Sequence, residues 1–379
     1  MKTPFHSTCI ALGLFSLAAQ AQASDLNSIP PYKKELEVVG RLRIAGSELK
    51  GVVEHLVAGF QKYHPGAKPS TNFMTSSEGA LGMMYSGASD VAPMGDDAKI
   101  SDQMPFYNSF GYVPTEVSVA TGGYDVRGTL FAWAIVVNKD NPIARLSMDQ
   151  LDDIFGAERT GGWEIGASAD NNLLYTAKYA RGPEKNIRRW GELGLKGEWA
   201  NKEIQTYGYV APGFATNFQR LVMHWSTKWN PNFKEYVELK ETTNDGAGRA
   251  VASQRMYEAL EKDKYGIGWG ALMHVKGTCV NPDGSKCPSY PGLKVVAVSK
   301  TADGPAIPLT ADNVVNRSYP LIRDAYIYIN KPPGGALDPK VREFLRFILS
   351  REGQQIIAKN GPYSPLPAEY IRAQLKKLD

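Results

Sequence analysis

Small hydroxyl residues stand before three predicted helices, and they are the first residues in this chain whose type and spacing suggest chemistry. Ser47 precedes one helical pattern, Ser76 and Ser77 precede a second, and Thr216 ends a turn before a third. A hydroxyl at such a position caps free backbone N–H groups. Those groups, with the positive end of the helix dipole, also form an anion site. The alternative is a set of ordinary helix caps; the clustering favours the walls of a small-molecule cleft.

An aspartate follows the second of these turns. Asp90 comes after a Gly-Ala-Ser run and directly before the apolar residues 91–94. Flanked in this way, its carboxylate is expected to be partly buried and to belong to the same cleft. The simpler interpretation is an aspartate in a turn.

Strand and helix patterns alternate along the whole chain. Residues 42–45 predict a strand that ends at Gly46 and Ser47, and a helical apolar stripe follows. Residues 131–137 are nearly all apolar and predict a strand covered on both faces. Ser147 and Gln150 form a predicted capping box. This alternation predicts α/β layers rather than a bundle or a sandwich, with ligands at the carboxyl ends of the strands.

The first 23 residues have the pattern of a signal peptide. Lys2 supplies a positive start, residues 10–19 form a short apolar core, and residues 21–23 are a small-x-small cleavage site. Cys9 lies inside this segment and is therefore not a lipobox cysteine at the cleavage site. We expect an exported, periplasmic protein that is not embedded in the membrane.

Two cysteines remain after the predicted cleavage. Cys279 and Cys287 flank a turn-rich segment. In an exported chain this spacing predicts one disulfide, worth roughly 2–3 kcal/mol. A zinc site is disfavoured, because His274 alone does not complete a ligand set. No metal and no cofactor are expected.

Charge and composition exclude several function classes. The chain has 43 Lys and Arg against 39 Asp and Glu, with the two signs interspersed and no basic run. This balance argues against a nucleic-acid partner. At 379 residues the chain is long enough for two domains of ordinary size.

Motifs of hydrolytic enzymes are absent from the sequence. The chain has no Gly-x-Ser-x-Gly elbow, no His-Glu-x-x-His pair and no P-loop. His55, His64, His224 and His274 each occur without a partner at catalytic spacing. A periplasmic hydrolase is therefore the least favoured alternative, and we expect a protein that is not an enzyme.

Several motifs resemble one known family over most of the predicted mature chain. The carboxyl-terminal half carries, in order, YPLIR at 319–323, YIYINK at 326–331, FLRFILS at 344–350 and GPYSPL at 361–366. Earlier motifs are SSEG at 76–79, GASD at 87–90, LDDIF at 151–155 and GIGW at 266–269. With these motifs in this order, the chain resembles a divergent member of the phosphate-binding proteins of bacterial ABC importers. That family lies within the type II periplasmic binding protein superfamily.

The resemblance implies two α/β lobes joined by two hinge strands, with a ligand between them. Lobe one is expected to comprise residues 24–123 and 300–379, and lobe two residues 124–299, after a signal peptide at 1–23. The lobes of such proteins close over the ligand by hinge motion.

The resemblance also implies the ligand-binding residues. The first turn is expected to contribute backbone N–H groups and hydroxyls, and Asp90 to accept a proton from a hydrogen-bearing oxyanion. The family's Arg and Ser-Gly-Thr before a helix of lobe two are replaced here, and Thr216 alone matches. Arg127 and Arg181 are candidates to replace the arginine. The complete predicted set is Ser47, Glu48, Leu49, Ser76, Ser77, Asp90, Gly213, Phe214, Ala215 and Thr216.

The resemblance implies a monomeric periplasmic protein that closes on a small oxyanion, phosphate first, and delivers it to an ABC importer permease. The alternative of another class is an extracellular, matrix or sensing protein that keeps the fold without transport. The aromatic residues, 10% of the chain, fit that alternative if they form exposed stacking surfaces.

Overall fold

A computed structural model describes most of the 379 residues of the chain. The described residues are 26–47, 49–74, 78–124, 131–166, 170–209, 214–236, 240–242, 248–250, 252–278, 286, 288–360 and 363–379. The predicted signal peptide lies outside them, so its prediction stands untested. The same holds for Glu48, Ser76, Ser77, Arg127, Gly213, Cys279 and Cys287.

The first sheet has five strands in the order β2-β1-β3-β15-β4. The strands β1 to β4 run in one direction and β15 runs against them. The carboxyl ends of β1, β3 and β4 therefore meet the start of β15 at one edge. The strand bounds are β1 Gly40–Ser47, β2 Ala67–Met74, β3 Val91–Met94, β4 Thr115–Thr121 and β15 Asp324–Ile329.

The second sheet has six strands in the order β10-β9-β13-β5-β14-β6. All run in one direction except β5, which is antiparallel to both neighbours. The bounds are β5 Trp133–Asn138, β6 Arg145–Ser147, β9 Gln205–Tyr209, β10 Lys234–Tyr236, β13 Gly266–Ala271 and β14 Leu293–Ser299. Two small antiparallel pairs join β7 Gly162–Ile165 to β8 Leu173–Thr176 and β11 Lys240–Thr242 to β12 Gly248–Ala250.

Eleven α-helices that lie wholly within the described residues cover these sheets. They are α1 Lys50–Tyr63, α2 Glu78–Tyr85, α3 Ile100–Phe110, α4 Met148–Phe155, α5 Phe214–Met223, α6 Ala252–Lys262, α7 Leu272–Lys276, α8 Ala311–Val315, α9 Pro339–Ile348, α10 Arg351–Asn360 and α11 Ala368–Leu375. None of these helices has both the length and the apolar content needed to span a membrane.

Local sequence signals explain where these helices begin and which face they bury. The predicted stripe of α1 is buried at Val52, Val53, Leu56 and Phe60. The capping box of α4 is present: the amide of Gln150 donates to Ser147 Oγ at 3.1 Å, and Gln150 Oε1 accepts from the amide of Ser147 at 2.9 Å.

Each sheet has its own hydrophobic core. The core of the first sheet takes its members from residues 29–120 and 325–378. That of the second sheet takes its members from residues 131–321, centred on strand β5 and Trp269. These two units, hereafter the first and second lobes, confirm the predicted two-lobe α/β fold. Residues Leu309 to Leu321 pack in the second core.

A buried side-chain array attaches the amino-terminal segment to the first lobe. The Tyr32 hydroxyl donates to Glu343 Oε1 at 2.5 Å and lies 2.6 Å from His64 Nε2. The amide of Val38 donates to His64 Nδ1 at 3.1 Å, so Nε2 carries the proton of the neutral ring. His64 and Glu343 are both fully buried. Burial lowers the pKa of His64 below 6.5, although the Glu343 and Glu37 charges oppose this shift.

We expect the fold to lose stability as the pH falls below about 6.5. The pKa of His64 is lower in the folded protein than in the unfolded chain, so the unfolded chain binds a proton at a higher pH. The contribution of His64 to the free energy of unfolding is therefore complete above pH 6.5 and is lost as the pH falls through the folded pKa. Urea unfolding of wild type and His64→Asn between pH 7.5 and 5 measures it. The variant should lose about 1–3 kcal/mol at pH 7.5 through its missing bond to Tyr32.

The control is His55→Asn, at an exposed position of α1. It should keep both the wild-type stability at pH 7.5 and the wild-type dependence on pH. An equal pH dependence in His64→Asn and wild type would contradict the assignment to His64.

Candidate ligand-binding site

Strand β1 delivers a buried hydroxyl to the edge where the strand ends of the first sheet meet. Ser47, its last residue, is fully buried, and its Oγ has no hydrogen-bond partner among the described residues. Helix α1 begins three residues later, at Lys50, and its N-cap residue Leu49 makes no side-chain capping bond. The first amides of a helix have no intrahelical acceptor. Strand β1 comes close to β3 at Gly46. A larger residue would not fit there, because its Cβ would lie 2.2 Å from the carbonyl oxygen of Pro93.

An acid and a cation meet at the same end of the first sheet. Strand β3 ends at Met94, and Asp96 follows two residues later. Its carboxylate binds the guanidinium of Arg323, which directly precedes β15. Both residues are buried, Arg323 with only 2% of its surface exposed. A buried charge needs such a partner, since desolvation otherwise disfavours it strongly.

The second lobe closes over this pair with neutral side chains. The ring of Trp133, at the start of β5, lies 4.9 Å from the Arg323 guanidinium carbon. Trp133 Nε1 donates to Asn217 Oδ1 at 2.8 Å, and Asn217 Nδ2 donates to Asp97 Oδ2 at 2.5 Å. The side chains of Asn217 in α5 and Asp97 in the first lobe therefore join the two lobes directly.

Three further predicted residues lie at the starts of helices α1 and α5. Leu49 packs its side chain in the first core with 1% exposed, so only its backbone remains for a ligand. Ala215 and Thr216, in the first turn of α5, are buried at 8% and 7% exposure, and Asn217 follows them. Phe214 starts the same helix, and its side chain is outside the description.

Asp90 is not brought together with Ser47. It precedes β3 and lies at the amino-terminal end of that strand, about 13 Å of strand away from Met94. Its carboxylate accepts the backbone amide of Arg43 at 2.7 Å and pairs with the Arg43 side chain. Burial opposes the charge, but the Arg43 contacts outweigh it and lower the pKa of Asp90. The Gly-Ala-Ser-Asp run thus enters a strand, whereas Asp96 follows the end of that strand.

Arg181 is also held elsewhere. It pairs with Asp153 at 3.2 Å and donates to Asn186 Oδ1 at 2.9 Å. These contacts tie it to α4 within the second lobe. Burial raises the pKa of Asp153 to about 6, against the opposing charge of Arg181.

Sequence reasoning missed Asp96, Arg323, Trp133 and Asn217. The rule that ligands bind at strand ends points to Asp96, since two consecutive acids follow the apolar strand 91–94. Arg323 stood inside the YPLIR motif without a role assigned to it. Its pairing with Asp96 spans 227 residues of chain, a separation that no local pattern reveals.

The site offers hydrogen bonding and charge. The described residues include no cluster of three or more His, Cys, Asp or Glu side chains that would hold a metal ion. His64 is bound to Tyr32, and His224 stacks on Tyr179 with ring centroids 4.1 Å apart. A buried acid, a buried arginine and an unpartnered hydroxyl together suit a small, hydrogen-bearing oxyanion.

The fold and the site define a two-lobe binding protein, and comparison with known proteins gives its family. The family profile described as PBP superfamily domain matches residues 33–352. The chain belongs to this superfamily, as the sequence motifs predicted.

Similar proteins come from several bacteria. The phosphate-binding protein PstS of Pseudomonas aeruginosa is 28% identical over 364 residues, which cover 95% of this chain and 94% of that protein. An ABC-type phosphate transport receptor from Vibrio cholerae is 17% identical, with a TM-score of 0.46, over 86% of this chain and 100% of that one. PstS from Borrelia burgdorferi is 13% identical, with a TM-score of 0.48, over 86% and 98%.

The placement of Asp90 predicts a small effect on stability when it is neutralised. Asp90→Asn keeps an oxygen for the Arg43 amide and removes an ion pair whose arginine is 42% exposed. We expect a loss of about 0.5–1 kcal/mol in the free energy of unfolding, measured by urea denaturation. A loss as large as that of a buried pair, about 3–5 kcal/mol, would contradict this placement.

Proposed function

We propose that this protein is a periplasmic solute-binding protein that closes on phosphate for uptake by an ABC importer. The observation that carries the proposal is the buried Asp96–Arg323 pair at the same end of the first sheet as Ser47, whose hydroxyl has no partner among the described residues, where the two lobes meet. The name of the Pseudomonas aeruginosa relative, similar over almost its whole length, supports phosphate as the ligand.

The proposed chemistry replaces the water around hydrogen phosphate with a few fixed groups. Arg323 provides a charge-assisted donor, Ser47 a hydroxyl donor, and the first turn of α1 its free amides. The Asp96 carboxylate accepts a hydrogen bond from the O–H group of hydrogen phosphate and repels an oxyanion that lacks such a group. Asp96 takes the role that the resemblance implied for Asp90.

Arg323 is the residue proposed to replace the arginine that is absent from lobe two. The resemblance expects a cation before α5, whereas the described residues there are neutral. Arg323 supplies the charge from the first lobe. The proposal also keeps the other predicted ligand contacts. They come from Glu48, Leu49, Ser76, Ser77, Gly213, Phe214, Ala215 and Thr216.

The two lobes are proposed as the closing units of a hinged binding protein. One crossing between the sheets lies between Thr121 and Trp133, the bounds of β4 and β5. We propose that the second lies between Leu321 and Asp324 rather than near Ser299, because residues up to Leu321 pack in the second core. Lobe one then comprises residues 24–123 and 322–379.

The proposal has four further parts. The protein is exported by a cleaved signal peptide, carries a Cys279–Cys287 disulfide, is monomeric and has an importer permease as its partner. The basis is the amino-terminal sequence pattern and the names of relatives. Binding without turnover is the activity expected.

Calorimetric titration of the ligand-stripped mature protein with phosphate near neutral pH tests the proposal. Wild type should give saturable, sub-micromolar binding. Arg323→Met should weaken it about 100-fold or more, because a buried acid and the anion both lose their cation. Asp96→Asn should lower the preference for phosphate over sulfate, since the repelling charge is gone.

Asp90→Asn is the matched control, an aspartate of the same lobe at the other end of β3. It should bind phosphate within about threefold of wild type, a difference under 1 kcal/mol. Absence of heat at millimolar phosphate with folded wild type would refute phosphate as the ligand. Screening would then turn to sulfate, organic phosphates and short glycans.

A further inference from the structure

An arginine of the second lobe ends among the acids of the first. Arg220, in helix α5, donates to both carboxylate oxygens of Glu116 in β4, each at 2.8 Å. The same guanidinium binds Asp97. One side chain thus bridges a helix of the second lobe to β4 and to the loop after β3.

The first lobe holds the Glu116 acceptor in place. The Tyr328 hydroxyl donates to Glu116 Oε2 at 2.8 Å, and these residues are register partners on β15 and β4. Lys377 Nζ donates to the backbone oxygen of Glu116 at 2.6 Å. The bridge therefore ends on a rigid part of the sheet, and a relative movement of the lobes must break it.

The charges at this contact depend on one another. Burial disfavours the cation of Arg220, but Glu116, Tyr326 and Asp97 outweigh burial and raise its pKa. Burial likewise opposes the charge of Glu116, and Arg220 outweighs it to lower the pKa of that carboxyl. Arg220 is the only cation within ion-pair distance of either acid in the part of the chain that the structure describes.

This bridge is joined to the candidate ligand site through two short connections. Asp97 directly follows Asp96 in the chain, and Asn217 lies one helical turn before Arg220 on α5. Asn217 also binds both Trp133 and Asp97. The ligand-facing acid and the bridging acid are thus neighbours, served by arginines of different lobes.

We propose that Arg220, Asp97 and Glu116 form an interlobe latch that stabilises the closed state and sets the rate of ligand release. The part concerning ligand release rests on the proposed function, whereas lobe closure does not. Because the bonds of the latch exist only when the lobes meet, it favours the closed state by its full interaction and the open state not at all.

Water has access to the latch, so it is able to open. A cavity of about 350 Å³ lies beside it, lined from both lobes by residues that include Glu116, Asn171, Arg220, Trp225 and Lys377. The ring of Trp225 lies 5.5 Å from the guanidinium carbon of Arg220. Separation of the lobes therefore hydrates Arg220 and Glu116 instead of leaving bare charges in an apolar interface.

Small-angle X-ray scattering of the full mature chain, stripped of phosphate, tests closure without any ligand. Arg220→Met should give a larger radius of gyration than wild type, and Glu116→Gln a smaller increase, because the amide keeps one acceptor oxygen. Stopped-flow release of phosphate should be about tenfold faster or more in Arg220→Met, with association within about threefold of wild type, since release rates carry most effects of contact mutations.

The matched control is Lys178→Met, which removes a cation and an exposed ion pair to Glu164 inside the second lobe. It should show wild-type scattering and release. Circular dichroism confirms folding, and Glu116→Gln alone decides the question if Arg220→Met does not fold. Wild-type scattering of the folded variants would overturn the latch. Failure of wild type to bind phosphate would refute the proposed function, while the scattering comparison would still decide on the latch.

Discussion

Two neighbouring carboxylates after one buried strand are the constraint on which the rest of this structure depends. Asp96 and Asp97 are 9% and 1% exposed, and a carboxylate at such depth needs a cation or several donors. Each acid has its own arginine, Arg323 for Asp96 and Arg220 for Asp97. These arginines come from the start of β15 and from helix α5, so satisfying the two charges brings together parts of the chain that are far apart in sequence.

The sheet topology makes this convergence possible. Since β15 runs against β3, Arg323 at its start lies at the same edge as the residues that follow the end of β3. Since α5 follows β9 of the second sheet, its first turns face that edge from the other lobe. A connection that placed either arginine at the opposite strand end would leave Asp96 or Asp97 buried without a counter-charge.

Local signals in the sequence predicted local structure well, and long-range pairing poorly. The apolar stripe of α1 and the Ser147–Gln150 capping box follow from neighbouring residues alone, and the structure has both. The α/β class and the superfamily also follow from patterns along the chain. Asp90 shows the limit: spacing identified an acid beside a short strand but not which end of that strand faces the second lobe. Arg323 shows the same limit, because its partner is 227 residues away.

The division of charges between the lobes has a consequence for how a ligand closes this protein. Among the described residues, Ser47, Asp96 and Arg323 all belong to the first lobe or its edge, whereas Trp133, Thr216 and Asn217 opposite them are neutral. Because Asp96 already offsets the charge of Arg323, these described residues carry no net charge, and they exert little direct electrostatic pull on the neutral side chains opposite. The charge attraction that draws the lobes together comes instead from Arg220 acting on Asp97 and Glu116. In such an arrangement the charge attraction between the described parts of the two lobes does not depend on a bound anion.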